Sequence, residues 1–361
     1  MGLVGGVLAV GSLMLSIGAC ASAPAKTKPG AAASTAAKAS GKKIKACMVT
    51  DTGGIDDKSF NAAAWSGLQA AQKQNPNVVP QYVASTTESD YAPNLTNFAN
   101  QKCDFILAVG GLMGPDLDKV AKANPNGQFA IVDYKSAEPN VYSMQFDTAQ
   151  AGFLAGYLAA GMSKSGKVGT YGGLKIPPVT IFMDGFADGV AKYNSVHSKN
   201  VTVLGWNKAT QNGLFANNFA DQAKGKTLAQ TLNDQGADVI MPVAGGTGLG
   251  TAAAAQASNG KFNVIWVDQD GCISAAQYCN VFMSTVQKNI SVAVQKAALD
   301  ASAGTLTGGG SIGTLANNGV ELAPFHDFQS KVPTDLQSEL TQLKADIVSG
   351  KIVVTSPADP K

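Results

Sequence analysis

Charge is scarce in this chain. Asp, Glu, Lys and Arg make up 14% of its 361 residues and nearly cancel, to a net +2, so no basic field exists to hold a polyanion and the composition speaks against nucleic acid as a partner. Histidine occurs twice, at His197 and His326, and neither stands near a cysteine or an acidic motif at metal-ligand spacing in the sequence, so no metal is expected. A P-loop and a nucleophile elbow are both missing. The glycine-rich run Gly245-Gly246-Thr247-Gly248-Leu249-Gly250 follows an apolar segment, but it fails the dinucleotide fingerprint. Counted from Gly246, the third glycine falls due at 251, where Thr251 stands. These absences leave no basis for catalysis or a cofactor, and point to a binding protein rather than an enzyme.

What is present is apolar and glycine-rich. At 45% hydrophobic content the chain can fill two cores of ordinary size, and its 40 glycines fall in short groups after apolar runs, as strand-to-helix turns require. The first twenty residues are small, apolar and uncharged and stop at Cys20, the pattern of a secretory segment. Residues 15–20, Leu-Ser-Ile-Gly-Ala-Cys, resemble a bacterial lipobox, which makes Cys20 the expected lipid anchor and the mature protein extracytoplasmic and membrane-attached. Residues 21–43 lack large apolar side chains and read as a flexible tether. In an oxidising compartment Cys272 and Cys279 close a short loop and are the favoured disulfide pair. Cys47 and Cys103 fall in or beside two neighbouring strands of the expected sheet, where a bond and two buried thiols are both open.

From Lys43 onward, short apolar runs alternate with amphipathic stretches of helical length, which predicts parallel sheets covered by helices on both faces. One series has strands near 44–50, 78–84, 104–109, 128–133 and 141–146, with helices near 59–74, 91–101 and 113–124. After an apolar helix at 148–163, a second has strands near 167–171, 201–206, 237–243 and 262–267 and helices near 179–195, 213–235 and 247–259. A strand at 281–284, a helix at 286–302, a strand at 319–323 and a helix at 334–349 finish the chain. This is α/β architecture in two doubly wound parallel-sheet lobes, joined by several short crossings. The expected division is 44–147 plus about 285–304 for the N-terminal lobe and 148–284 plus about 305–357 for the C-terminal lobe. Ligands of open α/β sheets bind beyond the carboxyl ends of the strands, so the two lobes share one cleft.

The sharpest local signal is the first strand-to-helix connection, residues 51–61, Asp-Thr-Gly-Gly-Ile-Asp-Asp-Lys-Ser-Phe-Asn. Asp51 closes a strand and faces the cleft. Asp57 and Ser59 are both candidates to cap the following helix, and Phe60 and Asn61 present a ring and an amide suited to a planar heterocycle.

That stretch resembles the signature of the basic membrane protein family of ABC-transporter substrate-binding lipoproteins, which includes purine nucleoside receptors. Further matches are Ile131-Val132-Asp133, residues 149–156, Val168 to Gly173, residues 185–189, residues 236–240, residues 244–248, Val267-Asp268-Gln269-Asp270 and residues 284–288. The resemblance implies a type I periplasmic-binding-protein fold, permease subunits as partners and a nucleoside as ligand. It implies a base held by Phe60 with polar contacts from Asp51, Asn61 and Asp133. Asp268 and Lys288 would hold the ribose, and backbone near Gly246 would lie beside the sugar. At Met241 nucleoside-binding members carry a stacking phenylalanine, so the methionine leaves a sugar-like or other heterocyclic ligand as the alternative. A ligand sensor for a membrane receptor would use the same closing lobes.

Overall fold

The computed structural model describes residues 41–360. The secretory segment, Cys20 and all of the tether up to residue 40 lie outside the described residues. The first series of elements is β1 (Ile44–Thr50), α1 (Phe60–Gln74), β2 (Val78–Val83), α2 (Tyr91–Asn100), β3 (Phe105–Val109), α3 (Gly114–Ala123), β4 (Gln128–Val132) and β5 (Val141–Phe146). Helix α4 (Thr148–Met162) leads to β6 (Lys167–Gly172), α5 (Pro177–His197), β7 (Thr202–Leu204), β8 (Trp206–Asn207), β9 (Asn212–Gly213), α6 (Gln222–Asp234), β10 (Val239–Val243), α7 (Gly248–Ala257), β11 (Asn263–Asp268), the single turn α8 (Gly271–Ser274) and β12 (Phe282–Lys288). Helix α9 (Ile290–Ala303), β13 (Gly309–Gly313), β14 (Val320–Leu322) and α10 (Thr334–Val348) complete the chain.

Two six-stranded sheets result, in the orders β13-β5-β4-β3-β1-β2 and β14-β12-β11-β10-β6-β7. The orders correspond strand for strand, and every pairing in them is parallel except β12 with β14. This repeated arrangement is the type I periplasmic-binding fold. The central strands β3 and β10 are buried at every residue, as sheets covered on both faces require. Helix α4 is apolar all round and almost wholly buried. It packs on α5 at facing glycines, where a Cβ on Gly156 would strike the Phe186 carbonyl and one on Gly189 the Phe153 carbonyl. Among the described residues no helix is long and apolar enough to cross a membrane.

Several boundaries differ from the sequence-based expectation, each for a visible reason. The helix expected over 213–235 starts at Gln222, where the Asp221 carboxylate accepts the Lys224 N–H at 2.9 Å. The preceding backbone is used otherwise: Ala216 and Asn217 donate to the carbonyls of Gly172 and Gly173 at 2.9 and 2.8 Å. The helix expected from 286 starts at Ile290, because β12 runs on through Lys288 and pairs there with Val320 of β14. Lys288 is therefore a strand residue, not the first of a helix. Strand β13 was not expected, since Gly-Gly-Ser-Ile-Gly has no apolar alternation; it pairs with β5 at the sheet edge. The lobe boundaries shift accordingly: 285–288 belong to the second sheet, and 309–313 to the first. Disulfides join Cys272 to Cys279 and Cys47 to Cys103.

Candidate functional site

The site forms where the carboxyl ends of the two sheets face each other. Its frame is the connection from β1 to α1. Asp57 caps α1: its carboxylate accepts the N–H groups of Ser59 (3.0 Å), Asn61 (2.8 Å) and Ala62 (3.0 Å), donors that a helix start leaves without intrahelical partners. With the cap supplied by Asp57, the Ser59 hydroxyl is free to reach across the cleft, where it donates to Asp268 Oδ2 at 2.5 Å and lies 3.2 Å from the Val267 carbonyl. Asn61 Nδ2 donates to Asp51 Oδ1 at 2.6 Å and to Asp57 Oδ2 at 3.2 Å, while its oxygen accepts the Asp51 N–H at 3.2 Å. Asp51 also accepts the Gly53 N–H at 2.8 Å.

The other two carboxylates occupy matching places in the two sheets. Asp133 directly follows β4 and Asp268 ends β11. Both have left-handed backbones, with φ of 67° and 68°, a conformation uncommon outside glycine that turns the chain sharply at the strand end. Lys288 donates to Asp133 Oδ2, and this ion pair spans the two lobes with both side chains buried. The ammonium also lies 4.9 Å from the ring centre of Phe60, 5.3 Å from that of Phe146 and 5.8 Å from that of Phe182. Two more cross-cleft bonds, Trp266 Nε1 to the Lys58 carbonyl (3.3 Å) and Gln269 Nε2 to Ser66 Oγ (3.4 Å), hold the lobes closed.

Between the lobes is a cavity whose empty space, open mouth included, is about 590 Å³. Asp51, Asp57, Asp133, Asp268 and Lys288 supply its charged lining, and Phe60, Phe182 and Phe219 its rings. Ile176, Pro178, Val179 and Val243 add apolar wall, and the glycine turn after β3 adds backbone. Burial pushes Asp51, Asp57 and Asp268 up to about 6. Their hydrogen bonds oppose the shift, as does Lys288 in the case of Asp268. Burial also raises Asp133, against the pull of Lys288.

Of the residues singled out in the sequence, Asp51, Phe60, Asp133, Asp268 and Lys288 meet at the cavity. Three do not line it. Met241 is fully buried in the core; Val243, two residues on, takes the wall position on β10. Gly246 abuts Asp57 and the Phe219 carbonyl, and it is Gly245 that borders the cavity. Asn61 is fully buried with both amide hydrogens on carboxylates, so it positions Asp51 and Asp57 rather than facing a ligand. Sequence reasoning missed the aromatic walls. Phe182 sits inside a long helix, and Phe219 lies in the segment expected to be helical. Asp57 and Ser59 stood in the quoted stretch but were read only as helix caps.

Residues 44–357 match the family model described as ABC transporter substrate-binding protein PnrA-like. The CD4+ T-cell-stimulating antigen of Listeria monocytogenes is 34% identical, over 87% of this chain and 89% of its own. The ABC transporter nucleoside-binding protein BmpA of Lactococcus lactis is 30% identical over the same shares, 87% and 89%. Among solved structures, an ABC transporter solute-binding protein from Aeropyrum pernix superposes with a TM-score of 0.79 at 25% identity, covering 88% of this chain and 94% of that one. With the fold, the closed cleft and these relatives in agreement, the chain belongs to the basic membrane protein family of ABC transporter substrate-binding proteins.

Proposed function

We propose that this protein captures a nucleoside, with a purine as the base, and delivers it to the permease subunits of an ABC importer from the outer face of the membrane, where a lipid on Cys20 holds it. The observation that carries this reading is the lining of the cleft: three aromatic rings and four buried carboxylates, of which Lys288 pairs with Asp133 and acts on Asp268 while Asp57 is taken up by the helix cap. Rings suit a flat heterocycle. Carboxylates are hydrogen-bond acceptors when ionised, so the ligand that satisfies them is rich in N–H and O–H donors. A phosphate would bring further negative charge among carboxylates, which favours nucleosides over nucleotides. Asp51 and Asp133 face the base in this reading, and Asp268 and Lys288 the ribose hydroxyls. The nucleoside-binding relative in Lactococcus lactis supports it.

A thermal-shift panel of nucleosides, nucleotides, free bases and sugars on protein stripped of retained ligand tests the assignment, because a ligand that binds only the folded state raises its apparent stability. Purine nucleosides are expected to raise the midpoint and their monophosphates to leave it unchanged. A shift with sugars alone overturns the base assignment. For the anchor, Cys20→Ser should abolish processing and lipid attachment, and membrane-bound, fully processed Cys20→Ser protein would show it wrong.

A further inference from the structure

Outside the cleft, the fold brings together four side chains that the nucleoside site does not use. Asp270 follows β11, Cys272 and Cys279 lie in the loop before β12, and His326 comes from the segment after β14. The ligand atoms of Asp270, Cys272 and His326 all lie within 4.8 Å of one another, and Cys279 is bonded to Cys272. Asp270 is buried, its Oδ1 accepting the Cys272 N–H at 3.0 Å and its Oδ2 lying 2.7 Å from His326 Nε2. His326 holds that position with a left-handed backbone, φ 42°, a costly conformation for a non-glycine residue that the surrounding structure must sustain.

In the disulfide form neither sulfur is a thiolate, so the cluster offers a metal only an imidazole and a carboxylate. The reduced form is different. Two thiols, one imidazole and one carboxylate are the donor set of a closed tetrahedral zinc site. We propose that the dithiol form of the Cys272–Cys279 loop, with His326 and Asp270, binds one zinc ion, and that the metal-bound and disulfide forms are alternatives. Binding of Zn²⁺ displaces the two thiol protons and needs no electron transfer. Passing from the disulfide to this form needs two electrons and two protons from a dithiol reductant, itself oxidised to a disulfide, whereas a newly made chain already carries the thiols.

The distances suit the metal. Zinc–sulfur and zinc–nitrogen bonds of about 2.3 and 2.0 Å place tetrahedral ligand atoms roughly 3.3–3.8 Å apart, so Asp270, Cys272 and His326, whose ligand atoms lie within 4.8 Å of one another, close with modest side-chain rotation, and Cys279 is to turn in as the fourth ligand once its bond to Cys272 is cut. The loop also has a frame of its own once the sulfur bond is cut. Ser274 and Ala275 donate backbone N–H groups to the carbonyls of Asp270 and Gly271 at 2.8 and 2.9 Å, and the Gly271 N–H is held by Thr285 Oγ1 at 3.0 Å. Of the four residues only Asp270 is buried, Cys272 and Cys279 are part-exposed and His326 is exposed, so an ion can enter. Sequence spacing concealed the site, because His326 is 54 and 47 positions from the two cysteines (326 − 272 and 326 − 279).

The test is titration of the full chain, reduced with dithiothreitol and freed of it under inert gas, with Zn²⁺ by calorimetry and with Co²⁺ by absorption spectroscopy. One zinc per chain and thiolate-to-cobalt charge-transfer bands are expected, both absent from the oxidised chain. The Cys272→Ser/Cys279→Ser variant keeps Cys47 and Cys103 as a control for other thiols and should lose the bands. His326→Ala, a change at an exposed residue that leaves the loop's backbone bonds in place, should weaken zinc by at least about tenfold. Reduced wild-type protein that binds zinc no better than the double serine variant, or His326→Ala that binds it as well as wild type, overturns the proposal.

Discussion

Lys288, the last residue of β12 in the second sheet, donates to Asp133, the residue after β4 in the first, and the pair crosses the cleft with both side chains buried. The contact joins ligand recognition to closure. The same ammonium lies over the Phe60 ring and lowers Asp268 as well as Asp133. Removing one partner of a buried pair leaves an uncompensated charge, at a cost of about 3–5 kcal/mol.

Lys288→Met should therefore open the protein as well as weaken binding. Small-angle scattering should show a larger radius of gyration for ligand-free Lys288→Met than for ligand-free wild type, and calorimetry should show at least about a tenfold loss of nucleoside affinity. A variant that stays closed and binds as wild type would show that the pair is incidental.

Asp51, Asp57 and Asp268 have folded-state values near 6, above the ordinary 3.8. A carboxyl raised on folding stabilises the protein while protonated, so its contribution is present below pH about 4 and is lost as pH rises through about 6. Each contributes on the order of 1–3 kcal/mol in this direction. The ligand-free melting temperature of wild type, compared with that of Asp268→Asn, should fall between about pH 4 and 7. Ligand donors favour the ionised carboxylates, so affinity should run the other way and weaken as pH drops below about 6. A wild-type minus variant difference that is flat with pH would refute the assignment of Asp268.

Phe60 is only partly buried, and its ring lines the cavity rather than filling the core. Phe60→Ala should cost well under the roughly 3–5 kcal/mol of a lost core ring, yet lower purine nucleoside affinity by about tenfold or more. Phe219→Ala should behave alike. Denaturant melts and calorimetry on the same preparations separate the two effects, and a large stability loss with unchanged affinity would make Phe60 a packing residue.

Met241 is enclosed on all sides in β10, so Met241→Phe cannot add a stacking ring to the cavity. Overpacking should destabilise the fold by about 1–3 kcal/mol without tightening nucleoside binding. An affinity gain in this variant would mean that residue 241 reaches the ligand after all.

The sequence by itself determined what depends on local pattern. Alternating apolar and amphipathic stretches placed both series of strands and helices, because a strand or helix is specified by side chains two to four residues apart. Strand-terminal Asp51, Asp133 and Asp268 were legible because open α/β sheets expose their carboxyl ends. The tertiary structure decided what depends on residues distant in the chain. Strand β13 exists through pairing with β5, and Lys288 is a strand residue because β14 pairs with it. Ser59 bonds across the cleft because Asp57 takes over the helix cap. Met241 and Val243 share a strand, and only packing determines which of them meets the cavity. His326 joins Asp270 and Cys272 only because the segment after β14 returns to the end of β11. Such pairings are chosen by burial and hydrogen bonding over the whole chain, and spacing along the sequence carries no record of them.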